Sequence, residues 1–328
     1  MKTEILKMLR ESGDYVSGQR LCEELGVSRT AVWKAVNQLK EEGYQVEAVR
    51  NRGYRIMAGP DVMTEEELNS LLAGKTNWAG KNIFYYPEID STNIRAKQLG
   101  EENAPHGTLV VADMQTAGRG RRGRGWVSPP GHSIYMSLLL RPDIRPGNAP
   151  MLTIVMAYSV AEAIRDCTGL NVQIKWPNDI ILNGKKIVGI LTEMSTEIDY
   201  INHVVIGVGI NVNMESFPEE LSDKATSLRI EMGKSVKRSP IIAETMIRFE
   251  ACYEQFAQKG DLGFLRESYN EMLVNCGREV LILGAKESYK AYALGIDDNG
   301  ELLIRREDGT EETVYAGEVS VRGVYGYV

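Results

Sequence analysis

Residues 118–125 read GRGRRGRG, four glycines interleaved with four arginines in a chain whose formal net charge is −7. Glycine lets backbone N–H groups approach an anion, and each guanidinium offers a rigid fork of donors to phosphate or carboxylate oxygens. The segment fits a loop that closes over an anionic ligand. Glycine–arginine runs also occur as solvated linkers or single-strand nucleic-acid tails. Placement separates these readings. The run lies between a strand-like stretch, 108–112 (TLVVA), and the apolar stretch 133–140 (SIYMSLLL), and a linker rarely interrupts two buried strands.

Four further polar motifs sit between apolar runs: DSTN (90–93), Gln115 just before the glycine–arginine run, KWPND (175–179) and GVGINVN (207–213), with GKKIVGIL (184–191) between the last two. Their recurrence on strand ends suggests one site. Each has a plainer reading alone. A Ser-Thr pair is commonly a helix cap or turn, Lys175-Trp176-Pro177 fits a turn that fixes chain direction, and Lys185-Lys186 is commonly solvated surface.

The elements that must position these residues belong to an ordinary globular chain of 328 residues, long enough for two or three domains. Cys22, Cys167, Cys252 and Cys276 form no C-x-x-C pair and only three histidines are present, so neither disulfides nor a zinc site is expected. The N-terminal 20 residues have no apolar signal core, and the stretch 151–164 is broken by Thr153, Ser159 and Glu162, so a cytoplasmic protein is expected, with no membrane partner. Residues 1–62 carry ten Lys/Arg against nine Asp/Glu, while the remainder is strongly acidic. Any nucleic-acid surface therefore belongs near the N-terminus.

There the spacing of Ile5, Leu6 and Leu9 predicts one amphipathic helix and that of Leu21, Cys22 and Leu25 a second, ending at Gly26. Ser28 fits an N-cap for a third, whose apolar stripe of Val32, Val36 and Leu39 leaves Arg29, Thr30, Trp33, Lys34 and Asn37 to the other side. Strands at 44–49 and 54–56 then flank a turn carrying Arg50 and Arg52, a basic wing. This is the grammar of a winged helix-turn-helix, with Ser28, Arg29, Thr30, Lys34, Asn37, Arg50 and Arg52 as DNA-contact candidates. The same unit also serves elsewhere as a dimerisation or docking module. From Gly277 short strands separated by Asp297-Asp298-Asn299-Gly300 and Asp308-Gly309 predict a small β-domain.

Taken together, DSTN, QTAGRGRRGRGW, KWPND, GKKIVGIL and GVGINVN resemble the catalytic signature of biotin–protein ligases, and with the winged helix the whole chain is similar to the bifunctional ligases that also repress the biotin operon. The resemblance implies an α+β multidomain protein: a winged helix-turn-helix and linker (1–65), a biotin- and ATP-binding catalytic domain of the class II aminoacyl-tRNA-synthetase/biotin-ligase type (66–270), and an SH3-like C-terminal β-barrel (271–328). It implies that biotin's carboxylate attacks the α-phosphate of ATP, with Mg2+, to give biotinoyl-5′-AMP, which a carrier-protein lysine then discharges. By resemblance, Lys186, Arg121 and Asp179 are catalytic; Ser91, Thr92, Asn93, Gln115, Arg119, Gly120, Arg121 and Lys186 bind biotin; and Arg121, Arg122, Asn178 and Asn211 bind the adenylate. Implied partners are the biotin carboxyl carrier protein of a carboxylase, operator DNA, and a second copy in a homodimer favoured by biotinoyl-AMP. A non-catalytic biotin-sensing repressor and a lipoate ligase are the competing readings.

Overall fold

The computed structural model describes residues 1–197, 200–284, 288–316 and 320–323, with the side chains of Arg122, Ser320 and Arg322 outside that description. The N-terminal unit contains α1 (Lys2–Ser12), α2 (Gly18–Leu25), α3 (Arg29–Glu41) and the hairpin β1 (Gln45–Val49)–β2 (Gly53–Ala58). The second helix ends at Gly26 and the third is capped by Ser28, as expected. Ser17 and Ser28 accept from the backbone N–H groups of Arg20 and Ala31, and Gly13 and Gly26 close α1 and α2 in the left-handed conformation. Ile5, Leu6, Leu9, Leu21, Val32, Val36 and Leu39 form one small core. The hairpin is tied to the body by reciprocal backbone bonds between Val16 and Tyr54, 2.8 and 2.9 Å.

Next comes α4 (Glu65–Leu72), capped by Thr64. The sequence suggests a short helix in a linker region. In fact α4 packs against α1 on one side and α9 (Arg238–Lys259) on the other. Its buried Leu68 and Leu72 join the core of the following domain, so it is a joint and not a tether.

That domain is built on a seven-stranded sheet of β3 (Ile83–Ile89), β4 (Thr108–Gln115), β5 (Ser133–Leu140), β6 (Gln173–Lys175), β7 (Asp179–Leu182), β8 (Lys185–Thr196) and β9 (Ile201–Asn211), in the order β3-β4-β5-β9-β8-β7-β6. Only β3 and β4 are parallel. All eight residues of β5 are buried because both faces are covered, by α5 (Thr92–Glu101) on one side and by α9 on the other. The α6 helix (Ala149–Thr168) packs along α9 and β8. Short helices α7 (Glu219–Ser222) and α8 (Leu228–Met232) follow β9, and α10 (Arg266–Met272) follows α9.

The C-terminal strands are β10 (Arg278–Leu283), β11 (Ser288–Ile296), β12 (Leu302–Arg305), β13 (Glu311–Val314) and β14 (Ser320–Gly323), in antiparallel order β13-β12-β11-β10-β14. Among the described residues β13 and β14 are unpaired edges, so this sheet is open; Val319, expected in the last strand, lies outside the described residues. It shares the core of the preceding domain, and Trp176, fully buried, donates from Nε1 to Gly300 O at 3.0 Å. Trp176 is thereby structural. No helix among the described residues is long and apolar enough to cross a membrane.

Candidate functional site

A cavity of about 340 Å³ opens where β4, β7, β8 and β9 meet the glycine–arginine loop, and it gathers the motifs that the sequence scatters over more than a hundred positions. One end is polar and neutral. Ser91 is the N-cap of α5, yet its side chain makes no capping bond, which leaves the buried hydroxyl to the cavity. Thr92 donates from its backbone N and from Oγ1 to Gln115 Oε1, at 2.9 and 3.1 Å. Gln115 Nε2 in turn donates to Ser128 Oγ at 3.1 Å.

Asn93 lines the cavity floor with its amide already engaged. Its Nδ2 donates to Glu193 Oε2 at 2.8 Å and its Oδ1 accepts from Ser137 Oγ at 2.6 Å, so it orients neighbours more than it offers free groups. Burial opposes ionisation of Glu193, but hydrogen bonds from Lys97 and Asn93 and the Lys97 charge outweigh it, holding the carboxyl below its usual range.

The other end is charged. Lys186 Nζ lies 2.6 Å from Asp179 Oδ1 and 5.3 Å from the centroid of the Trp126 ring. Arg121 donates to Asn178 Oδ1 at 2.7 Å and to Ala316 O at 3.0 Å, joining loop, KWPND turn and C-terminal sheet. Asn178 Nδ2 reaches Asp179 Oδ1 at 3.2 Å and Ile190 O at 3.1 Å. Lys186 is pinned by backbone bonds to Lys224 and Thr226, 2.8 and 3.0 Å, so the segment after β9 fixes the lysine-bearing strand. Asn211 is buried on the same wall and donates to Thr226 O at 3.2 Å.

Between the two ends the indole of Trp126 lies against glycine backbone. A Cβ on Gly209 would come within 2.7 Å of the indole, and one on Gly207 within 2.0 Å of Asn93 Oδ1. Only glycine gives the sheet that close an approach. Trp126 Nε1 is a buried donor with no hydrogen-bond partner among the described residues.

Within the loop, Trp126 N donates to Gly118 O at 2.9 Å and Gly120 N to Arg124 O at 2.7 Å. Arg119 lines the cavity from an exposed position and Gly120 lies beside it. Arg122, expected at the adenylate, has its side chain outside the described residues. The structure therefore brings together Ser91, Thr92, Asn93, Gln115, Arg119, Gly120, Arg121, Asn178, Asp179, Lys186 and Asn211. Sequence reasoning missed Ser137, Ser128 and Glu193. A serine inside the apolar run SIYMSLLL was the available signal for Ser137; nothing local marks the other two.

The DNA-contact candidates cluster apart from this cavity. Ser28, Arg29, Thr30, Lys34, Arg50 and Arg52 are exposed and Asn37 is half-buried. Trp33, expected opposite the apolar stripe, is 56% exposed on the same helix. Arg52 stacks over Tyr15 at 4.2 Å, while Arg29 donates to Gln19 at 2.9 Å.

The sequence pattern of the Biotin/lipoate A/B protein ligase family matches residues 85–211, that of an HTH domain residues 2–55 and that of the Biotin protein ligase C terminal domain residues 276–322. The chain is 42% identical over 326 residues to the bifunctional ligase/repressor BirA of Bacillus spizizenii, covering 98% of both chains. It is 33% identical over 317 residues to that of Escherichia coli, covering 96% of this chain and 95% of the relative. The structure is similar to biotin protein ligase from Aquifex aeolicus in complex with biotin and ATP, with TM-score 0.66 and 34% identity over 74% of this chain and 99% of that one. With a helix-turn-helix matched ahead of the ligase pattern, the chain belongs to the biotin protein ligase family as a relative of its bifunctional ligase/repressors.

Proposed function

We propose that this protein is a biotin–protein ligase that also acts as a biotin-responsive repressor. It activates biotin with ATP to biotinoyl-5′-AMP and transfers the acyl group to a lysine of a carboxylase's biotin carrier domain. The observation that carries this reading is the cavity with a neutral hydrogen-bonding end at Ser91, Thr92 and Gln115 and a cationic end at Lys186 and Arg121. That division matches biotin's uncharged ureido ring at one pole and its carboxylate, beside a phosphate, at the other.

In the first step a biotin carboxylate oxygen bonds to the α-phosphorus and pyrophosphate leaves. In the second, the acceptor amine bonds to the acyl carbon, AMP leaves with the bonding electrons, and the amine loses a proton. Negative charge builds on the phosphoryl and then the acyl oxygens, so positioned cations supply the catalysis and no protein nucleophile is required. Lys186 is assigned to the bridging carboxyl and phosphoryl oxygens, Arg119 and Arg121 to folding over them, and Arg122, Asn178 and Asn211 to the adenylate. Asp179, 2.6 Å from Lys186 Nζ, orients that ammonium. Trp126 packs on biotin's rings. Among the described residues no group of three or more His, Cys, Asp or Glu could hold a metal, so a protein-built cage for Mg2+ is not supported. The ion is proposed to arrive with the triphosphate.

Exposed basic residues on α3 and the wing support operator binding, and we read the chain as divided at 1–65, 66–270 and 271–328, with α4 as the first joint. The C-terminal sheet is read as SH3-like from its five antiparallel strands. A cytoplasmic location and a homodimer favoured by biotinoyl-AMP complete the proposal. Incubation with a carrier domain, biotin and ATP tests it: a mass gain of one biotinoyl group on the carrier, uncompeted by lipoate, is expected. Preferential transfer of lipoate overturns the substrate assignment, and binding of biotin without transfer favours the sensor reading.

A further inference from the structure

The first two residues of α9 touch two buried polar networks that otherwise stand apart. Arg238, 4% exposed, donates from N and Nε to the Asp61 carboxylate at 2.8 and 2.9 Å, and from Nη1 to Asp113 Oδ1 at 2.7 Å and Ser133 O at 3.1 Å. Asp113 lies on β4 two residues before Gln115, and its other oxygen accepts from Gly131 N at 3.0 Å. Arg238 thus fastens β4 and the first residue of β5, the two strands between which the glycine–arginine loop runs, to Asp61, in the segment that leads from the wing to α4.

Ser239, next in sequence, donates from Oγ to Glu67 Oε1 at 3.1 Å. The Glu67 side chain is 5% exposed and lies on α4, where it also accepts from Arg10 Nη2 at 2.7 and 2.8 Å and from Tyr44 Oη at 2.6 Å. Arg10 belongs to α1 and Tyr44 immediately precedes β1, so both are winged-helix residues. Arg10 also donates to Ser70. Burial, reinforced by the bond to Glu67, pushes the Tyr44 hydroxyl far above its usual range.

A carboxylate buried this deeply needs its oxygens filled, and moving one partner away leaves an uncompensated buried charge, so the elements that supply its donors are coupled in position. Here the elements are the DNA reader, the joint helix and the ligand loop. We propose that the start of α9, through Arg238 and Ser239, is the junction that transmits ordering of the glycine–arginine loop to the winged helix by way of Glu67. Arg238, Ser239 and Glu67 are positioning residues that touch no substrate. The inference rests on the ligase reading only in that biotin and ATP are the ligands that order the loop.

Hydrogen–deuterium exchange on the full chain, with and without biotin plus ATP, tests it without knowledge of the operator. Wild type is expected to slow exchange by about fivefold or more both in residues 113–133 and in α1 and the 44–49 segment. Glu67→Gln is expected to keep the change at 113–133 and lose it in the winged helix. Should Glu67→Gln fail to fold, Tyr44→Phe with Ser239→Ala removes two of the donors to Glu67 and is expected to behave alike. An undiminished winged-helix response in a folded variant, or a wild-type response confined to the loop, overturns the junction and leaves the ligase reading intact. No response anywhere in wild type removes biotin and ATP as the ligands and the inference with them.

Discussion

The Lys186 ammonium is held between Asp179 at 2.6 Å and the Trp126 ring at 5.3 Å, a compact charge positioned by the protein's own groups. Fixed charges contribute most where water would otherwise reorganise, and losing one such donor typically costs about 10²- to 10³-fold in rate. Lys186→Ala is therefore expected to slow biotinoyl-AMP formation by that order, measured by pyrophosphate release; a rate within twofold of wild type would remove the residue from the chemistry. Gly207→Ala places a Cβ 2.0 Å from Asn93 Oδ1, and the displaced amide can no longer keep both Ser137 and Glu193. Biotin affinity is expected to fall by about tenfold or more, against titration calorimetry of wild type. The residues that carry charge or fork-shaped donors were legible in the sequence because few residue types can do their work. Ser137, Ser128 and Glu193 were not, since their task is to orient others and that depends on strands distant in the chain.

At the scale of elements, the winged helix was legible almost residue by residue, because its caps, apolar stripes and turn are local. The wing arginines make this testable: Arg50→Ala should weaken DNA binding uniformly across sequences and lower the salt slope by about one, while adenylate formation is unchanged. A sequence-selective loss in a binding titration would place Arg50 at a base edge instead. Ser28→Ala, which removes the acceptor for Ala31 N, should cost about 1 kcal/mol and be visible as a lower melting temperature of residues 1–58 by exchange or circular dichroism. The role of α4 was not legible. Its amphipathic pattern shows a helix, but that it is clasped by α1 and α9 through Glu67 follows only from tertiary packing. The order of the C-terminal strands, with β14 beside β10, likewise lies in pairing between strands far apart in sequence.

For the whole molecule, stability should depend on pH through two histidines, the half-buried His106 and the buried His203. Burial lowers the pKa of His106, whose Nδ1 accepts from Arg141 N at 3.0 Å, and that of His203, where the Arg141 charge adds to the effect. The unfolded chain, with histidines near 6.5, then binds more protons than the folded one just below that pH. Their contribution is complete above 6.5 and declines as pH falls through that value toward the folded pKa values. The melting temperature is expected to drop between pH 7.5 and 5.5, and His203→Gln to flatten the drop; an unchanged profile in that variant would assign the dependence elsewhere. The central claim is that one cavity joins a neutral ureido-binding end to a cationic end built for an acyl phosphate. The most direct measurement mixes the purified protein with biotin and Mg-ATP, without acceptor, and follows the retained small molecule by mass spectrometry. The account predicts biotinoyl-AMP bound at close to one per chain and discharged on addition of a carrier domain, whereas biotin recovered unchanged from a folded, biotin-binding protein would contradict it.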